Sequence, residues 1–195
     1  MEIVVLEPED AEIVETLAGY HYPPNYPMSY DDIVENLERK GRDSFCFGVE
    51  EDGKLLGYLM AWVESSMVEG REGKVLLVDD IVLGNRARGQ LFRVLQTMIE
   101  QMDKRGFGKL PIEGSARPTS AHTFMGHPEA LERLGYELVE KSEYYEEEFD
   151  ENLTWVRFEP IQRKAATIDV DDQLEIEFEE EDWEEEGESS GVSVV

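Results

Sequence analysis

The chain has 195 residues, enough for one domain and an extension, and 41% hydrophobic residues can bury a sizeable core. Its 46 acidic residues against 18 basic ones give a net charge of -28, which excludes nucleic-acid binding through phosphate neutralisation. A single cysteine excludes an intrachain disulfide, and no apolar run long enough to span a membrane and no cleavable signal is present, so we expect a cytoplasmic protein without a membrane anchor.

Apolar periodicity, capping residues and turn residues predict the secondary structure. The Ser29 hydroxyl caps a helix, and Asp52-Gly53 forms a hairpin turn. Residues 19–28 are too rich in proline to form a helix or to pair as a strand. In chain order, the prediction is a strand at 3–6, a helix at 8–18, a helix from 29, strands at 45–49, 55–63 and 76–83, a helix from 91 to about 105, a strand at 110–114, a helix at 128–136, and strands at 136–147 and 153–158.

Residues 76–106 carry the most informative pattern. A nearly all-apolar strand leads through a turn containing glycine and arginine into one long helix, which presents a single apolar stripe. The stripe consists of Leu91, Val94, Leu95, Met98, Ile99 and Met102. Because the first turn of a helix has backbone N–H groups without intrahelical partners and a partial positive charge, this turn predicts a phosphate or pyrophosphate site.

The strand, the Arg-x-x-Gly turn and the long helix resemble the central motif of the GNAT family of N-acetyltransferases. Leu134-Gly135-Tyr136 resembles the end of that family's last helix, and the order of elements over residues 1–160 is also similar. The resemblance implies an α+β fold with a mixed, mostly antiparallel central sheet flanked by helices. Residues 161–195 then form an acidic C-terminal extension, in part strand-like, with 13 acidic and no basic residues from 165 onward.

The resemblance also implies that backbone amides of the turn hold the pyrophosphate of acetyl-CoA or another acyl-CoA. Two registers remain open, one with Arg86 at the first motif position and one with Arg88-Gly89 as the family's Arg-Gly pair. The first register puts Leu91 where the family has Gly or Ala, and a branched side chain is expected to obstruct the cofactor there. The residues implied in cofactor binding are Ile81, Val82, Leu83, Arg86, Arg88, Gly89, Gln90 and Leu91.

For catalysis, the resemblance implies an acid that removes the proton of the acceptor amine where the fourth strand separates from the fifth. Asp79 and Asp80 occupy that position, and because strand residues alternate between faces we expect one of them, preferably Asp80, to face the cleft. The family's tyrosine that protonates the thiolate is replaced by Leu131, and Tyr136 is the first substitute considered. Tyr144, His122 and His127 are alternatives. No metal ligand is assigned.

Three functions follow from these patterns. The first is an acyl-CoA-dependent N-acyltransferase. Because the protein is strongly acidic, its electrostatic field would favour a cationic amine acceptor, small or peptidic. The second is a catalytically silent GNAT-fold adaptor, for example a viral assembly component packaged from the cytoplasm, that holds a basic partner through acidic surfaces and the tail. An acidic DNA mimic is the third, and the oligomeric state is left open.

Overall fold

A computed structural model of the chain describes residues 1–22, 29–39, 43–66, 73–117, 126–147 and 150–162. Seven strands form one sheet, and they are β1 (Glu2–Val5), β2 (Ser44–Glu51), β3 (Lys54–Ser65), β4 (Lys74–Leu83), β5 (Ile112–Ala116), β6 (Tyr136–Glu146) and β7 (Glu151–Pro160). Their order across the sheet is β1-β2-β3-β4-β5-β7-β6. Only β4 and β5 pair in parallel among these neighbours, so the sheet is mixed and mostly antiparallel, as predicted.

Four α-helices flank the sheet, and they are α1 (Ala11–His21), α2 (Tyr30–Glu38), α3 (Leu91–Lys104) and α4 (Glu129–Glu132). The residues described belong to one unit, Met1–Gln162. None of the helices in the described ranges has the length and apolar content needed to cross a membrane. Residues 23–28 of the proline-rich segment, His122 and the acidic tail from residue 163 lie outside the described residues.

The core has one layer on each face of the sheet. One cluster packs α3 and α4 against the sheet, and it contains the stripe of α3 predicted from the sequence. The other packs α1 and α2 against the opposite face, where Tyr58 and Met60 of β3 and Val82 of β4 are buried. We call these the α3 face and the α1 face of the sheet.

Several element boundaries differ from the prediction. The first helix extends three residues further, to His21, and the fifth strand begins at Ile112 instead of residue 110. The last predicted helix shrinks to the single turn of α4. The hairpin turn is as predicted, because Asp52 and Gly53 both have positive φ angles, 53° and 73°, as a two-residue turn of this kind requires.

Candidate functional site

The sheet opens between β4 and β5. Their ladder consists of three pairs, from Leu76–Ile112 to Val78–Gly114. β4 then continues to Leu83 and β5 to Ala116 with no further pairing between them in the described part of the chain. The strand edge of β4 beyond Val78 therefore presents backbone N–H and C=O groups to whatever enters the opening, which we call the cleft.

A β-bulge lies at the start of the cleft. Met60 of β3 pairs with Asp80, whereas the next residue, Ala61, pairs with Val78, so Asp79 is the extra residue on β4. Val78 faces the α3 cluster, and regular alternation would send Asp80 to that same face. The bulge breaks the alternation and turns Asp80 to the α1 face.

Asp80 is buried beneath the end of α1. It is 4% exposed, and the Tyr58 hydroxyl donates a hydrogen bond of 2.6 Å to Oδ2 while the Tyr22 hydroxyl donates to Oδ1. Burial raises the pKa of Asp80 to about 6, against the two tyrosine hydrogen bonds and the nearby charge of Arg117, which lower it. Both oxygens of this carboxylate are therefore engaged by protein.

Asp79 differs from its neighbour because its side chain is exposed. Its pKa is nevertheless raised to about 6, because the surrounding protein removes part of its solvation and the negative charges of Asp80 and Glu64 act in the same direction, against the positive charge of Arg39. Arg39 lies 4.4 Å from the ring of Trp62, whose indole N–H donates to Glu64 over 2.9 Å. These neighbours lie on the α1 side, so both acids lie on one side of the sheet, but only Asp79 is exposed, whereas the sequence favoured Asp80.

The turn after β4 is shaped by two glycines. The carbonyl of Gly84 accepts from the N–H groups of Ala87 and Arg88, at 2.8 and 3.1 Å, which begins the helical segment. A Cβ on Gly84 would lie 2.8 Å from the carbonyl oxygen of Leu56, so no side chain fits there. At Gly89 the result is opposite, because a Cβ would meet nothing within 4 Å. The turn therefore has an open side at Gly89.

Leu91 does not block this turn in the way that the sequence suggested. Its side chain is 6% exposed and packs with Ala87 in the core below α3. The expected obstruction assumed a side chain standing over the turn, whereas the helix directs it toward the sheet. Asn85, Arg86, Arg88 and Gly89 are the exposed residues of the turn. Arg86 pairs with Glu51 of the β2–β3 hairpin.

Tyr136 lies far from the cleft, which removes it from the acids considered for catalysis. Tyr136 pairs with Pro160 of β7. The last pair of the β4–β5 ladder contains Gly114, and Gly114 pairs with Val156 of β7, four residues before Pro160. Four strand residues span about 13 Å, and they lead away from the cleft, toward the end of the ladder at Leu76 and Ile112, which we call its closed end. Tyr136 is fully buried in the α3 cluster, its pKa is raised by burial, and Leu131 is buried in the same cluster.

The structure adds polar residues that the sequence analysis did not assign. Arg117, just after β5, is 8% exposed. Its guanidinium forms an ion pair with Glu151 at 2.8 Å and lies 5.5 Å from the centre of the Tyr22 ring. Tyr58 falls within the strand predicted at 55–63, where the sequence pattern gave it no separate role. One signal was available in the sequence, since a charged residue inside or beside a short buried strand must find partners.

The predicted alternatives to Tyr136 fall in different places. The Tyr144 hydroxyl donates to Ser115 Oγ over 3.0 Å, at the cleft end of β5. His127 pairs with Glu129 on the exposed first turn of α4. Within the described ranges, no group of three His, Cys, Asp or Glu side chains is arranged to hold a metal ion.

Comparison with known proteins supports the resemblance. A family model described as the acetyltransferase (GNAT) family matches residues 11–122. No curated protein gives a significant match. Among solved structures, a GNAT-family acetyltransferase from Streptococcus pneumoniae is 16% identical with a TM-score of 0.56, covering 83% of this chain and 99% of its own.

Two further structures have the same fold. The ribosomal-protein-S18-alanine N-acetyltransferase of Escherichia coli is 18% identical, with a TM-score of 0.56 over 86% of this chain and 97% of its own. Arabidopsis thaliana NAA60, solved in complex with acetyl-CoA, is 12% identical, with a TM-score of 0.58 over 80% of this chain and 96% of its own. At these identities the likeness concerns the fold.

Proposed function

Because the chain belongs to the GNAT acetyltransferase family, we propose that it is an N-acyltransferase that moves an acyl group from acetyl-CoA, or another acyl-CoA, to an amine. The observation that carries this proposal is the cleft. The unpaired edge of β4 begins at two acids of raised pKa and ends at a helical turn with an open backbone side. An acyl donor with a pyrophosphate and an acceptor amine need these two features at one place.

The acyl-CoA fits the residues that line this cleft. The open side at Gly89 leaves room for a pyrophosphate beside the backbone of Gly89 and Gln90, and Arg88 is exposed beside it. The backbone of residues 81–83 would hold the extended arm of the cofactor along the β4 edge. Arg86, engaged with Glu51, is the more distant cation. When bound, the cofactor supplies an activated acyl thioester.

Asp79 is the acid that we assign to proton removal from the amine. Its carboxylate is exposed, and a pKa of about 6 leaves it ionised at neutral pH while keeping it basic enough to accept a proton. Asp80, the acid preferred from the sequence, is a positioning residue in this assignment. Its buried charge raises the pKa of Asp79, and its hydrogen bonds fix Tyr22 and Tyr58 over the α1 face.

The acceptor that we infer is a cationic amine, small or peptidic. A net charge of -28 gives a field that attracts cations, and Asp79 and Glu64 bring carboxylates to the α1 face beside the cleft. The E. coli structure of similar fold is an N-acetyltransferase of a ribosomal-protein alanine, which makes an N-terminal amine the first peptidic acceptor to test. Spermidine is the matched small polyamine.

Acetyl-CoA binding by the full chain is the primary test. We expect saturating acetyl-CoA to raise the melting temperature, since any ligand of the native state stabilises it. Gly89→Trp should abolish the rise, because the indole would occupy the open side of the turn. Gly89→Ala is the control, since its Cβ meets nothing within 4 Å and the rise should persist. Native mass spectrometry measures the bound cofactor directly.

An unchanged melting temperature at saturating acetyl-CoA would contradict the enzyme proposal. It would favour the second candidate, a catalytically silent adaptor that holds a basic partner through its acidic surfaces and a tail beginning near residue 161. Stoichiometric co-purification of a basic protein would then be the supporting result. Acetylation of spermidine or of a basic peptide with an N-terminal alanine would decide for catalysis.

A further inference from the structure

Ser115 lies on the β5 side of the cleft, opposite the two acids. The three preceding strand residues are buried, whereas Ser115 is exposed and is the first residue of β5 after the last rung, Val78–Gly114. Asp79 is the corresponding first residue on β4. Because Ile112 faces the α3 cluster, alternation puts Ser115 on the opposite, α1 face. Ser115 and Asp79 therefore flank the start of the cleft on one face.

A tyrosine from the outer strand reaches this serine. Tyr144 of β6 pairs with Leu153 of β7, and Ser115 of β5 pairs with Trp155, two residues further along β7, so the two lie diagonally across that strand, within reach of a long side chain. The hydroxyl of Tyr144 donates to Ser115 Oγ at 3.0 Å. With its own oxygen accepting from the tyrosine, the serine hydroxyl can direct its proton into the cleft. Tyr144 is 38% exposed and can recover a proton from water.

We propose that Ser115 and Tyr144 form a two-hydroxyl proton donor for the sulfur that leaves during acyl transfer, an inference that rests on the proposed function. The amine nitrogen forms a bond to the acyl carbon, and Asp79 receives the proton that the nitrogen loses. The C–S bond breaks with its electron pair on sulfur. Sulfur takes the Ser115 proton, Ser115 takes the Tyr144 proton, and water reprotonates Tyr144. Asp79 releases its proton to solvent.

The order of the two hydroxyls follows from their positions. Ser115 is on the strand that borders the cleft, so it is the catalytic residue, and Tyr144 acts through it as a positioning residue. A thiolate is basic enough at neutral pH for a positioned donor to matter, and general acid catalysis contributes about 100-fold or more to rate.

The test uses the full chain, acetyl-CoA and hydroxylamine as the acceptor probe. Hydroxylamine is largely unprotonated at pH 7, so its reaction depends little on the base and reports on the leaving sulfur. We expect Ser115→Ala to lower kcat roughly 100-fold and Tyr144→Phe roughly 10-fold, with KM for acetyl-CoA within about twofold. The double variant should match Ser115→Ala, because a relay fails as one unit. Ser115→Thr should restore activity to within about threefold, since it keeps the hydroxyl.

Ser142→Ala and Tyr145→Phe are the matched controls, since both residues are exposed on β6 and should leave kcat unchanged. A kcat of Ser115→Ala within threefold of wild type, or additive losses in the double variant, would overturn the relay. If these occur while acetyl-CoA still raises the melting temperature and hydroxamate forms, the proposed function stands and the relay alone fails. If the wild-type protein shows neither a rise in melting temperature with acetyl-CoA nor hydroxamate formation, both the relay and the proposed function are overturned.

Discussion

The two ends of the β4–β5 ladder have opposite designs. At the end near Ile112 the strands are paired, Leu76 and Ile112 are fully buried, and the α3 cluster extends to Tyr136. At the other end the pairing stops after Gly114, the next residues of the two strands, Asp79, Asp80 and Ser115, are charged or exposed, and a bulge turns Asp80 to the α1 face. Apolar packing defines the closed end, whereas the interruption of regular structure defines the open one. Unpaired backbone and buried charge are costly, so they mark the end where a ligand is expected.

The largest effect that we expect comes from the open end. Asp79→Asn should lower kcat/KM for the amine acceptor roughly 100- to 1000-fold, because the group that takes the proton is lost. In the wild type, activity should rise with pH through about 6, as Asp79 loses its proton, and this limb should vanish in the variant. A pH profile of kcat/KM with spermidine or the alanine-led peptide measures both.

Glu64→Gln is the matched control for Asp79→Asn. Glu64 raises the pKa of Asp79 through charge alone, so its neutralisation should move the acid limb to lower pH and leave the plateau rate within about threefold. Activity of Asp79→Asn within threefold of wild type would show that another group takes the proton. Asp80 would then be the first candidate.

The closed end was predictable from the sequence, because it obeys periodicity. The six-residue stripe on α3 and the Asp52-Gly53 turn follow from apolar spacing and turn chemistry. The family resemblance supplied the mostly antiparallel sheet. Boundaries moved by two or three residues where tertiary pairing, not local preference, decided where an element ends.

The open end was predictable only in part. The position of Asp79 and Asp80 where β4 separates from β5 was predicted from sequence, but their orientation was not, because one extra residue in β4 relative to β3 reverses every face assignment after it and leaves no trace in hydropathy. The roles of Tyr22 and Tyr58 depend on contacts over 58 and 22 residues of chain. Tyr136 was misassigned because nearness in sequence to a motif does not give position along a sheet.

Leu91 tests whether the turn is limited by its side chains or by its backbone. Leu91→Ala should destabilise the fold by about 2–5 kcal/mol, since it removes a buried side chain from the core below α3. The affinity for acetyl-CoA should not improve, because the side chain points away from the open side at Gly89. Urea unfolding and calorimetric titration measure the two quantities.

Phe92→Ala is the control on the same helix, because Phe92 is only partly buried. It should cost less stability than Leu91→Ala. Tighter acetyl-CoA binding by Leu91→Ala would show that the Leu91 side chain does obstruct the cofactor, as inferred from the sequence.

Asp80 carries a cost in stability that depends on pH. Its pKa is raised in the folded state, so the folded protein binds this proton more tightly than the unfolded chain does, and the stability that it confers at low pH is lost as pH rises toward 6. The free energy of unfolding of Asp80→Asn, relative to wild type, should therefore increase by about 1–1.5 kcal/mol between pH 5 and pH 7.5. Urea titrations of both proteins at each pH measure it.

Comparing the variant with wild type at each pH cancels the repulsion among the acidic residues whose pKa does not depend on Asp80, and the pair of Asp79 and Asp80 therefore titrates as one unit in this test. Asp31→Asn is the surface control, because Asp31 is an exposed residue in the first turn of α2. A pH-independent difference for Asp80→Asn would show that Asp80 is already ionised in the folded state across this range.

The smallest expected effect lies at the closed end, at Tyr136. Its hydroxyl is buried and has no hydrogen-bond partner among the residues that the structure describes. Leaving a buried hydroxyl unsatisfied costs about 1–3 kcal/mol, so Tyr136→Phe should raise the free energy of unfolding by about 1 kcal/mol and leave kcat unchanged. Tyr145→Phe, at an exposed tyrosine of the same strand, should change stability by less than about 0.5 kcal/mol. A loss of kcat in Tyr136→Phe with intact stability would instead connect the two ends of the ladder, since a hydroxyl about 13 Å from the last rung could act on the reaction only through the residues between them.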